Sequence, residues 1–128
     1  MTMNQTLDQQ RAAFAWEVAS AGMSRHQDDY KRLAKGSPAL IMTSGLMPTL
    51  AFYASKKGAA DALLDDLIRW LSERIWRQSL HQGQGSRVFG ELMKQLQSAD
   101  TATYLHATDE ALEILKWIRQ FVDAVSHP

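Results

Sequence analysis

Apolar residues recur along this chain at spacings of three and four, and nowhere in sustained alternation, so the pattern is that of helices. Over residues 6–22, Leu7, Phe14, Val18 and Ala21 fall on one stripe among alanines that permit close packing, and Gly22 marks an end. Residues 25–35 form a second, charged helix or a continuation of the first, anchored by Tyr30, Leu33 and Ala34 and stopped by Gly36. The longest helical signal runs over residues 59–80, where Leu64, Leu67, Leu71 and Ile75 are flanked by Leu63, Ile68, Trp70 and Trp76. Residues 81–86 read as a loop. A shorter helix over 87–97 turns Val88, Leu92 and Leu96 inward. After a joint at Ser98–Asp100, with Asp100 as cap, a final helical region reaches about Val125 with a bend near Ala107-Thr108. Ala111, Leu115, Ile118, Val122 and Val125 form its stripe, and the last residues, Ser126 to Pro128, read as loose.

Residues Ser37–Lys57 stand apart from this pattern. Leu40, Ile41, Met42, Leu46, Met47, Leu50, Ala51 and Phe52 leave no polar face, which predicts a helix wrapped by the others. Ser37 suits an N-cap and Pro38 a first helical position, because the N–H that proline lacks has no partner there. Pro48 cannot donate to the carbonyl of Ser44, so a kink or a break into two short helices is expected at that point. The expectation is an all-α fold: a single helical domain over residues 1–128, a bundle of five to seven helices around a central apolar helix at about 38–56.

Composition narrows the function classes. At 128 residues and 45% hydrophobic content the chain can bury a core, and without cysteine it can form no disulfide or thiolate metal site. No apolar run reaches the roughly 18 residues of a membrane span, and the N-terminus lacks the order of a secretory signal. A reducing, cytoplasmic setting is expected. The net charge is zero but unevenly spread: residues 1–60 carry seven Lys/Arg against four Asp/Glu, and residues 61–128 carry seven against ten. Polyanion binding would therefore use a local patch on the first half.

Catalytic chemistry finds little support. His26, His81, His106 and His127 match no metal-ligand spacing, and the loop glycines match no phosphate-binding motif. Asp65-Asp66 and Asp109-Glu110 are adjacent pairs that point apart on a helix and read as helix-start charges. The row Asp65, Arg69, Glu73, Arg77 alternates sign one turn apart and reads as a solvated, self-paired face. No catalytic residue, metal or cofactor is expected. The basic residues carry more: Arg25, Lys31, Arg32 and Lys35 cluster within eleven residues, and Lys56-Lys57 end the apolar stretch. Solubility and helix-end electrostatics account for them; so does a patch that tracks phosphates without reading sequence.

A family likeness favours the patch. RAAFAWEV at 11–18, Tyr30 and Leu33, and PALIMTSGLMPTLAFYASK at 38–56 resemble the small subunit of the Cmr complex, the type III-B CRISPR RNA-guided effector. The residues that carry the likeness are Arg11, Ala12, Ala15, Val18, Pro38, Gly45, Leu46, Leu50, Ala51, Phe52, Ser55 and Lys56, with Tyr104, Glu110, Leu112, Trp117, Ile118 and Phe121 near the end; Pro48 departs from the pattern. The resemblance implies an all-α subunit without enzymatic activity. Its implied partners are guide RNA, target RNA, the other Cmr subunits (the backbone subunit above all) and further copies of itself, with no membrane. It would line the channel where guide and target pair, touching backbone rather than bases. Arg25, Lys31, Arg32, Lys35, Lys56 and Lys57 are the expected RNA-facing basic patch. The alternative is a helical protein–protein adaptor with no direct RNA contact.

Overall fold

The computed structural model describes residues 5–126. Among them are seven helices and no strand: α1 Leu7–His26, α2 Asp28–Ser44, α3 Leu46–Ala54, α4 Ala59–Trp76, α5 Gln84–Arg87, α6 Phe89–Ser98 and α7 Thr101–Ser126. The all-α expectation holds. Of the expected loose end, Ser126 closes α7, while His127 and Pro128 lie outside the described residues.

Local chemistry starts several of these helices. Thr6 and Gln9 form a reciprocal capping box on α1: the Thr6 hydroxyl accepts from the Gln9 N–H, and the Gln9 amide oxygen accepts from the Thr6 N–H. Asp100 Oδ1 accepts from the Thr103 N–H at 2.8 Å at the head of α7, the expected cap. α1 runs past Gly22 and yields to α2 only at Gln27, whose φ of +50° interrupts the helical path. Gly22 is not a helix end. It is buried, and its missing side chain makes room for the Tyr30 ring. α7 likewise runs through Ala107-Thr108 as one helix.

The Ser37–Lys57 expectation needs correction. Gly36 does not stop α2, and Ser37-Pro38 does not start a helix; α2 passes through all three. The Ser37 side chain is buried, donates back to the Leu33 carbonyl and shares a hydrogen bond with the Tyr53 hydroxyl. Burial of Tyr30, Ala34 and Ile41 on one face of α2 outweighs the weak local preference for a break at Gly-Ser-Pro. The break falls at Gly45, whose φ of +95° suits glycine, three residues before Pro48. Pro48 then sits in the first turn of α3, where its missing N–H costs nothing.

Nor is 38–56 the centre. Met42 is 77% exposed and Phe52 50%, so α2 and α3 are outer helices. The enclosed helix is α4, which touches all six others. It is buried without interruption from Leu63 to Ser72. Its Leu63, Leu64, Leu67, Ile68 and Leu71 pack among Val18 of α1, Ile41 of α2, Leu46 and Leu50 of α3, Leu92 and Leu96 of α6, and Ile114, Leu115 and Ile118 of α7. Each such Leu or Ile contributes about 1.5–3 kcal/mol by leaving water.

The charges on α4 concealed this role. Asp65, Asp66 and Arg69 are buried, not solvated. Arg69 reaches Asp65 at 3.1 Å and Asp66 at 3.0 Å, so the two carboxylates are bridged by one guanidinium. Asp65 also accepts from the Gly83 N–H at 3.0 Å and the Ser86 N–H at 2.9 Å, which seats the 81–86 segment on α4. The expected loop is thus half a loop, closed by the short turn of α5. Buried charge survives here because every partner is in place.

Candidate nucleic-acid interface

The six predicted basic residues fall into three groups. Lys31, Arg32 and Lys35 all project from α2, but one residue of helical rotation separates Arg32 from Lys31 and sends them to different flanks. On the flank toward α7, Lys35 Nζ lies 2.8 Å and Lys31 Nζ 3.4 Å from Asp123 Oδ1. The hydrogen bond from Lys35, then that from Lys31, holds the Asp123 carboxyl below the usual carboxylate range. The ion pairs themselves are solvated and weak.

On the other flank, toward α3, Arg32 pairs with Asp29 one turn earlier at 3.1 Å. Lys56 and Lys57 follow the end of α3, with Lys56 Nζ 5.0 Å from the centre of the Phe52 ring. Arg32, Lys56 and Lys57 line one groove of about 300 Å³ with Asp29, Phe52 and Tyr53. Lys56 and Lys57 are exposed, and among the described residues neither forms an ion pair. The groove therefore offers three cations against one carboxylate.

Arg25 is not part of either group. It sits near the end of α1, where the Gln82 amide, with its oxygen turned inward, accepts from both terminal guanidinium nitrogens at 2.7 and 3.1 Å. Asp61, Asp65 and Asp66 line the same small cleft.

Sequence reasoning missed two residues. Lys116 and Arg119 of α7 line a groove of about 360 Å³ with Lys35, Met42 and Asp123. Only the packing of α7 beside α2 brings these distant positions together, and Lys116 is itself paired with Glu113 at 3.5 Å.

Among the described residues no cluster of His, Asp or Glu is arranged to hold a metal ion. No helix of the described residues is long and apolar enough to cross a membrane. The most shifted carboxyl is Asp66, raised by burial to about 7 although Tyr30 and Arg69 pull it down. Both its oxygens are committed, one to each of those partners.

These features define a class: a small all-α bundle whose exposed basic side chains rim grooves on both flanks of one outer helix. The comparisons are specific. Residues 7–125 match the family described as CRISPR-associated protein (Cas_Cmr5). The chain is 30% identical over 115 residues to the CRISPR system Cmr subunit Cmr5 of Thermotoga maritima, covering 90% of this chain and 81% of that one. It is 30% identical over 110 residues to the CRISPR system Cmr subunit Cmr5 of Thermus thermophilus, covering 85% of each. The fold is similar to the crystal structure of a CRISPR-associated Cmr5 family protein from Thermus thermophilus, with a TM-score of 0.71 and 30% identity over 94% of this chain and 96% of that one. The chain belongs to the Cas_Cmr5 family.

Proposed function

We propose that this protein is a non-catalytic structural subunit of an RNA-guided, RNA-targeting CRISPR effector of the Cmr type, acting in the cytoplasm. Its partners are the other subunits, the backbone subunit above all, further copies of itself, and the paired guide and target RNA. The relatives from Thermotoga maritima and Thermus thermophilus carry the name of a Cmr subunit, which supports the assembly role. The observation that carries the RNA role is the α2/α3 groove, where Lys56 and Lys57 stand exposed opposite Arg32. Base pairing reads sequence in such a complex, so the protein needs only cations spaced along a backbone. Lys31, Lys35, Lys116 and Arg119 extend the cationic surface on the other flank of α2, while Arg25, beside three aspartates, contributes least.

One observation favours the adaptor alternative. Lys31 and Lys35 are neutralised in part by Asp123, as expected of a solvated surface that meets only protein.

Charge reversal separates the two. The assembled complex carrying Arg32→Glu, Lys56→Glu and Lys57→Glu is expected to keep its subunits and lose target-RNA affinity. Its salt slope should fall by about 0.7–0.9 for each phosphate contact removed. An intact complex with wild-type affinity and slope leaves the adaptor.

A further inference from the structure

A cleft of about 600 Å³ opens between α1 and the end of α4, lined by none of the residues of the basic grooves. Its apolar wall is the tilted ring pair of Phe14 and Trp70, 5.1 Å apart. Arg74 and Arg77 enter from α4, and Glu17 and Glu73 complete the charged lining.

The two arginines differ in what they offer a partner. Arg74 Nε is buried and has no hydrogen-bond acceptor among the described residues. Glu110 approaches it only to 3.7 Å, because that carboxylate is already engaged. Arg11 grips its two oxygens at 3.1 and 2.9 Å, and Trp70 Nε1 donates to it at 3.0 Å. Arg77 is exposed, and among the described residues its side chain makes no ion pair. It ends α4 in the left-handed region at φ +56°, a position that glycine fills most easily.

We propose that this cleft receives a segment of a partner protein, one that presents a single carboxylate to Arg74 and Arg77 and an apolar side chain to Phe14 and Trp70. The formal charges of the lining cancel, two glutamates against two arginines, and the carbonyl end of α4 adds negative character. A phosphate chain, drawn by net positive field, gains little there. A lone carboxylate can take the paired donors of exposed Arg77, with Arg74, held 3.7 Å from Glu110, adding its charge alongside. Aromatic rings beside arginine are also the combination that anchors protein interfaces. The inference needs the chain to work within an assembly, as proposed above, but not to touch RNA.

The test uses the full chain in its assembled complex, with a photo-crosslinking amino acid at Ser79, an exposed residue of the cleft. The expected adduct is a peptide of another subunit carrying an Asp or Glu next to an apolar residue. Arg77→Gly relieves the backbone, so the variant folds with an unchanged or higher Tm, yet the crosslink yield falls at least about tenfold. Arg77→Glu loses the adduct too, and replacing the partner's acidic residue by Arg restores it. Four results overturn the proposal: an adduct on RNA, a segment without a carboxylate, a yield no higher than from the same group at exposed Ala124, or a yield that Arg77→Gly leaves unchanged. The Arg77→Gly complex keeps wild-type RNA affinity. Failure here is therefore distinct from failure of the RNA role, which is read at Lys56 and Lys57.

Discussion

The Tyr30 hydroxyl donates a 2.7 Å hydrogen bond to Asp66 Oδ2, tying α2 to α4 in the bundle interior. Both side chains are buried, and Arg69 holds the other Asp66 oxygen at 3.0 Å. Tyr30→Phe keeps the ring and strands one buried oxygen. The expected loss is about 1–3 kcal/mol, seen as a lower urea midpoint at unchanged m-value.

The same carboxyl sets a pH dependence. Burial raises Asp66 to about 7 in the folded protein, against a starting value of 3.8. The folded state then binds the proton more tightly than the unfolded chain across that window. On this account the contribution is fully present below about pH 4, is lost as pH rises through about 7, and levels only above that. Glu110 works the other way. Burial pushes it up, but Arg11 and Trp70 hold it below its usual value overall, so its contribution is lost as pH falls through the acid range. Urea titrations between about pH 5 and pH 7 should show the decline, and Asp66→Asn should flatten it. A wild-type profile that rises over this window would refute the assignment.

Two glycines on neighbouring helices should respond oppositely to alanine. A Cβ on Gly22 would lie 2.5 Å from the Tyr30 ring, whereas one on Gly36 meets nothing within 4 Å. Gly22→Ala forces α1 from α2 and is expected to cost about 1–3 kcal/mol. Gly36→Ala should stabilise by about 0.5–1 kcal/mol, because α2 is helical there. Thermal unfolding of the two variants checks both signs.

Asp65 fastens the 81–86 segment to the core through the N–H groups of Gly83 and Ser86. Asp65→Ala removes those two acceptors and half the partners of buried Arg69, at an expected cost of about 3 kcal/mol. Hydrogen exchange offers a local reading: the Gly83 and Ser86 amides should lose protection before the rest of the core does.

Asp123→Asn releases Lys31 and Lys35 while leaving the core untouched, since the pairs it breaks are solvated. The thermal midpoint should stay where it is in the wild type, because solvated pairs of this kind contribute little to folding. If α2 faces RNA, the assembled complex should bind its target more tightly, with a salt slope steeper by up to about two phosphate contacts' worth. Unchanged affinity would place that flank of α2 away from RNA.

The helical class and most helix positions were legible in the sequence, because periodicity and caps such as Asp100 are local properties. Short fragments also carried the family likeness, and residues 7–125 match that family. Which helix lies at the centre was not legible. The stretch at 38–56 is greasier than α4, but α4 can lie deep because Arg69 bridges Asp65 and Asp66 while its leucines pack inward, and hydropathy counts those charges as surface.

For the candidate site, the sequence named the six basic residues, and tertiary structure alone sorted them. Lys35 meets Asp123, 88 positions away, while Lys56 and Lys57 join Arg32 across a groove between two helices. Spacing along one helix fixes which residues share its face, but charge left over for a partner depends on what the other helices bring beside it. The sequence thus settled the kind of elements and the kind of residues. Packing decided which charges are buried, which are paired and which remain free, because those outcomes depend on contacts between segments far apart in the chain.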